Sequence, residues 1–321
     1  MAVRPCTAMG AIMGTTLSRR RRMITRTALA ITMPRGMADT VTRMGTTGTL
    51  TTMTMSTARA LTGLATIPMS TDAARLMRLQ SWLSPAFPIG AYSYSHGLER
   101  AVESGAVRDR ATLVDWLDAD LRHGAGRVDG IFLAETWRAA RGVPPSLGPF
   151  ASASGAANAA DTQTAAHRHI LAIAELAAAM RGTAELALES GQQGIAFLGA
   201  VRKAWPDPAL DRIAQALQQE KITPVLPVAA GLACAIHGIA LEMALPLYLH
   251  AGVANLINAA VRLIPLGQSD GQLALAALET ALVETAAEAH RSSLSEIGSA
   301  AFMIDIASMQ HETQYTRLFR S

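Results

Sequence analysis

From about residue 72 onward, apolar residues recur at helical spacing in one segment after another, with no sustained two-residue alternation of the kind a strand needs. Leu113, Leu117 and Leu121 repeat every four residues while Asp115, Asp118 and Arg122 fall on the other side of the same helix. Asp109 stands just ahead of them as an N-cap. Stripes of this kind can be buried only helix against helix. Half of the residues are hydrophobic but only 4% are aromatic, so Ala and Leu must supply the core and the helices must pack closely. The expected fold is all-α: a single-domain helical bundle or array of about ten helices.

The pattern places helices over Arg75–Leu83, 91–105, 109–123, 127–140, 161–181, 183–205, 208–220, Pro224–His237 and Pro246–Ile264. A long helix begins in "SDGQLALAALETALVETAAEAH", and Ser299–Ala307 is the last. Pro85, Pro88 and Gly90 in "SPAFPIG" force a turn, and "RGVPPSLGPFASASG" is the longest internal loop. No fixed-period repeat is present.

The N-terminal 70 residues differ from the rest. They hold nine of the 28 basic residues, one of the 25 acids and ten of the 15 methionines. The pI of 9.2 therefore comes from this leader, because residues 71–321 carry 19 basic and 24 acidic side chains. A mildly acidic body without a Lys/Arg stripe argues against nucleic-acid binding. The Arg- and Thr-rich leader resembles a transit peptide in composition, but an internal start near Met69 is the expectation. The domain boundaries read as an unstructured leader over 1–70, an all-α body over 71–307 and a partner-binding tail over 308–321.

Two cysteines, Cys6 and Cys234, give no disulfide framework and fit a reducing, cytoplasmic setting. The apolar region after Ile222 keeps free of ionisable residues only to Ile236, too short to span a bilayer, and contains Pro224 and Pro227. It reads as a buried helix pair, with no role for a membrane.

Chemistry is sparse. No phosphate-binding G-x-x-x-x-G-K-[ST] occurs, and "GAYSYSHG" lacks the G-x-S-x-G elbow. His167 and His169 point apart on a helix, and His237, His250 and His290 stand singly, so no metal site is expected. Two segments carry more specific polar and aromatic groups than a core needs. One is "SPAFPIGAYSYSHGLE", with Tyr92, Tyr94 and His96 beside the proline turn. The other is the C-terminus, with Met309, His311, Glu312, Tyr315 and Arg317.

Three segments in order, "LSPAFPIGAYSYSHGLE", "RLIPLGQSDGQ" and "MQHETQYTRLFRS", resemble the motifs of the urease accessory protein UreF family. "RGTAELALESGQQG" is similar to the polar, Gln-containing central helix of that family, and the likeness covers about residues 75–321. "ITPVLPVAAG" lacks the His residues that many members carry near this helix's start. The resemblance implies an all-α, dimeric, non-catalytic protein that binds UreD (also called UreH) and recruits or regulates the GTPase UreG. The complex would deliver nickel into apo-urease, so nickel and GTP would be handled by partners, with no cofactor bound directly.

Residue by residue, the likeness implies that Tyr92 and Arg317 support recruitment of the GTPase. Met309, His311, Glu312 and Tyr315 belong to the segment that docks on UreD/UreH, with His96 in the partner-binding turn. Gly90, Gln268 and Asp270 take structural or capping roles. Removal of residues 309–321 is then expected to leave helicity and solubility nearly unchanged while abolishing capture of UreD/UreH. The alternative from the residues alone is a helical hydrolase using His96 or His311 as general base.

Overall fold

The computed structural model describes residues 71–143 and 159–320. The readings of the leader as unstructured and of "PPSLGPFASASG" as a loop fall outside the described residues. Among the described residues there are twelve α-helices and no strand.

Helix formation follows local chemistry. At α3 (Arg110–His123), the Asp109 carboxylate accepts the Thr112 N–H at 2.9 Å while the Thr112 hydroxyl accepts the Asp109 N–H at 3.1 Å. This reciprocal cap satisfies two backbone donors that the first turn would leave unpaired. Leu113, Leu117 and Leu121 are then buried together. The caps of α6 (Ala184–Ala204) and α7 (Pro208–Gln219) are Thr183 and Asp207, and Pro208 opens α7 where its missing N–H costs nothing.

The core is built around α4 (Ala125–Ala140) and α8 (Leu226–Ile236). Every residue of α8 from Pro227 to Ala235 is buried. Gly231 permits this approach: a Cβ there would lie 2.5 Å from the Leu133 carbonyl oxygen of α4. Cys234 is sealed in this helix, and burial pushes its thiol pKa up to about 12, which leaves it unreactive.

Around this pair pack α5 (Ala159–Ala179), α6, α9 (Leu241–Leu263) and α11 (Glu279–Arg291). Arg138 of α4 donates to the carbonyls of His290 and Ser292 and pairs with buried Glu135, so it satisfies acceptors left over at the end of α11. At the other end Trp82 closes α1 (Thr71–Trp82) against Phe197, Trp205 and His237 in edge-on ring contacts.

Four expectations shift. The helix expected over 91–105 is a 3-10 turn, Ala91–Ser93, followed by the short α2 (Leu98–Glu103); His96 and Gly97 both take positive φ and break the run. The long helix from Gln268 divides at Leu278 into α10 (Gln268–Ala277) and α11. Helix α9 begins five residues before Pro246. The last helix, α12, spans Phe302–His311, so the first residues of the expected tail are helical.

Helix α9 is also the one described helix long and apolar enough, by length and composition, to cross a membrane. It buries Leu241, Leu245, Leu249, Val253 and Leu256 inside the bundle and carries Glu242 and Arg262 at its ends, as a core helix does.

Candidate functional site

The turn at residues 90–97 is held from beneath. Gly90, at φ +73°, introduces the 3-10 turn. Two side chains from the C-terminal half of α9 then grip its carbonyls: Asn255 donates to Ala91 at 2.9 Å and Arg262 to Tyr92 at 2.8 Å. The Tyr92 side chain is left pointing outward, 67% exposed. Tyr94 turns inward, and its hydroxyl donates to Gln192 of α6 at 2.8 Å.

His96 faces the same stretch of α6. Its Nε2 lies 2.9 Å from Glu189, whose carboxylate also accepts from Gln193 at 2.7 Å. Burial works against charge on the imidazole, but the Glu189 charge and hydrogen bond outweigh it and raise the His96 pKa to about 9. At neutral pH the ring holds its proton and cannot act as a general base. The polar stretch of α6 is therefore a partner of the turn.

The C-terminus folds back onto the body. His311 closes α12 with no exposed surface, its Nδ1 2.7 Å from Glu185 and its Nε2 3.2 Å from Glu99. Glu312 accepts the Ala184 N–H at 2.9 Å, at the start of α6. Beyond it, Arg317 pairs with Glu185 at 2.6 Å, and the Glu99 carboxylate accepts the N–H groups of Leu318 at 2.6 Å and Phe319 at 2.9 Å. Phe319 is buried beneath the Arg262 guanidinium, 4.3 Å from the ring centroid. Finally, the Arg320 N–H donates to the Ser93 carbonyl at 2.8 Å.

Turn, α6, α9 and tail thus form one continuous surface. Tyr92, Met309 and Tyr315 are exposed on it, and Arg317 is partly so. His311 is not at the surface in this conformation, because its ring fills the space between two carboxylates. Four apolar side chains of α12, Phe302, Met303, Ile306 and Met309, extend the surface. Asp270 accepts the Gly267 N–H at 3.2 Å and meets Arg110 at 3.2 Å, the geometry of a capping residue; Gln268 is the first residue of α10.

Glu99, Glu185, Glu189, Asn255 and Arg262 hold the candidate site together and were not singled out from the sequence. Glu99 and Arg262 lie inside the quoted motifs, and Glu189 inside the polar stretch of the central helix, which is the signal that could have found them. Beside the turn lies a cleft of about 690 Å³, walled by Trp82, Phe87 and Phe197 and reached by His96, Asp129 and Tyr248. Among the described residues no three His, Cys, Asp or Glu side chains are placed to hold a metal ion.

A model of the UreF family matches residues 107–279. The urease accessory protein UreF of Rhodopseudomonas palustris (strain BisB5) is 48% identical over 272 residues, spanning 83% of this chain and 100% of that relative. The chain belongs to the UreF family. The UreF of Bradyrhizobium diazoefficiens is 45% identical over 251 residues, with 78% of this chain and 93% of the relative covered. That of Granulibacter bethesdensis is 46% identical over 252 residues, with 78% and 96% covered. The UreF model spans α3 to the first residue of α11, so the Tyr92 turn and the tail lie outside the matched span.

Proposed function

We propose that this UreF-family chain is a non-catalytic assembly factor in urease maturation. It docks on UreD/UreH through α12 and the tail, and recruits or regulates the GTPase UreG through Tyr92 and Arg317. Nickel and GTP are held by the partners, and the working form is a cytoplasmic homodimer that engages apo-urease. The observation that carries this reading is the junction of turn and tail: residues 225 positions apart, Tyr92 and Arg317, belong to one surface through Arg262, Glu99 and Glu185.

A hydrolase built on His96 or His311 is disfavoured. His96 is held protonated against Glu189, and His311 has no surface for a substrate to touch. The test is capture of UreD/UreH and UreG by the wild-type chain and by Tyr92→Ala and Arg317→Ala. Retention of UreD/UreH with loss of UreG supports the reading, and full UreG capture by both variants overturns the site assignment.

A further inference from the structure

We propose that the cleft beside the Tyr92 turn binds a short apolar peptide, of dipeptide size, by its free amino end. This binding goes beyond assembly of a urease complex and belongs to the isolated chain. The cleft runs along one face of α6, where Glu189, Gln193 and Phe197 recur every four residues and all line it. At the rise of a helix, Glu189 and Phe197 stand about 12 Å apart along the axis.

The Phe197 end is apolar. Its ring meets Trp82 edge-on at 6.0 Å between centroids and Phe87 at 5.3 Å. The Glu189 end is acidic. His96 answers Glu189 at 2.9 Å, and Arg181 answers Asp129 at 2.7 Å. Asp120 and Asp305 line the same cleft, and among the described residues neither has a cation within ion-pair distance. The Asp120 carboxylate accepts the Ala125 N–H at 3.1 Å, and Asp305 accepts the Ser299 hydroxyl at 3.3 Å. Burial raises the Asp120 pKa against the pull of the His96 charge, and the charges of Asp129 and Asp305 add to the rise. This end therefore favours a cation. Among the described residues no three His, Cys, Asp or Glu side chains are placed to hold a metal, which makes an organic ammonium the fitting one.

Two buried donors belong to the same walls. Trp82 Nε1 and Arg181 Nη2 have no acceptor among the described residues, and both groups can only donate. Buried donors gain most from a ligand that carries carbonyl oxygens. A peptide brings these features together: an ammonium for Asp120 and Asp305, carbonyls for Arg181 and Trp82, and apolar side chains for the aromatic wall. A volume of about 690 Å³ suits a ligand of that size.

Calorimetric titration of the full chain with phenylalanyl-leucinamide tests the site, beside the N-acetyl derivative, which keeps the body and loses the cation. The free amine should bind with a Kd below about 1 mM, and acetylation should weaken binding about tenfold or more. The Trp82 indole N–H resonance, assigned by its loss in Trp82→Phe, should shift as the amine saturates the chain. Asp120→Asn retains the oxygen that accepts from Ala125, and should bring the two affinities within about threefold of each other. Asp305→Asn serves as the second arm if that variant does not fold.

No saturation by about 10 mM amine would mean that the cleft holds water only, and would overturn the proposal. Equal affinity for the two peptides, or an Asp120→Asn chain that keeps the full preference for the amine, overturns it as well. Neither UreG nor UreD/UreH enters the titration, so its failure leaves the assembly reading standing, and the reverse holds too.

Discussion

Gly97 and Ser308 approach so closely that a Cβ on Gly97 would sit 2.6 Å from the Ser308 backbone nitrogen. The neighbouring contacts are backbone too, so nothing can rotate aside. Gly97 also has φ +75°. Gly90 offers a contrast, with φ +73° and no atom within 4 Å of the same construction. Gly90→Ala should therefore cost only the backbone term, about 1–2 kcal/mol. Gly97→Ala should cost roughly 2–3 kcal/mol beyond that, because it forces α12 away from α2. Urea unfolding midpoints compare the two; equal losses would refute the close-packed reading of this junction.

The ion pair of His96 and Glu189 gives a pH dependence with a definite sign. The folded-state pKa of His96, about 9, lies above its ordinary value of 6.5. Its contribution to stability is thus complete below pH 6.5 and disappears as pH rises through about 9. Melting temperatures of the wild type and His96→Gln should differ most at the acid end of this window and converge above it. A difference that grows with pH would contradict the pair.

Truncation at residue 308 is not structurally silent, contrary to what the sequence suggests. It removes buried His311 and Phe319 and leaves Glu99 and Glu185 without their C-terminal partners. The expected loss is roughly 3 kcal/mol or more. Denaturant unfolding of the shortened chain measures it, and an unchanged midpoint would show that the tail is not seated.

The apolar face of α12 should separate binding from folding. Phe302 and Met303 are more than half exposed, so Phe302→Asp and Met303→Asp should change stability by only about 0.5 kcal/mol. Capture of UreD/UreH should weaken tenfold or more if these side chains anchor the contact, about 1.4 kcal/mol. Calorimetric titration of the variants decides it.

The Leu113, Leu117 and Leu121 stripe and the Asp109 cap were legible because they depend on neighbours within four residues. The break at His96–Gly97 was not, since helical spacing continues through it; both residues take positive φ, and Ser308 leaves no room for a Cβ on Gly97. Glu99 reads in sequence as an ordinary first-turn acid of a helix. Its role appears only when residues more than 200 positions away bring their N–H groups to it. The division at Leu278 similarly leaves no proline or glycine signature. Local chemistry wrote the elements, and long-range contacts assembled the site.

The most direct measurement is the nickel content of urease produced in cells whose own UreF gene has been deleted and replaced by this one. Wild type should yield nickel-loaded, active urease, whereas Tyr92→Ala and Arg317→Ala should yield largely apo-enzyme at equal urease abundance. Equal nickel loading with both variants, or without the chain at all, would contradict the account.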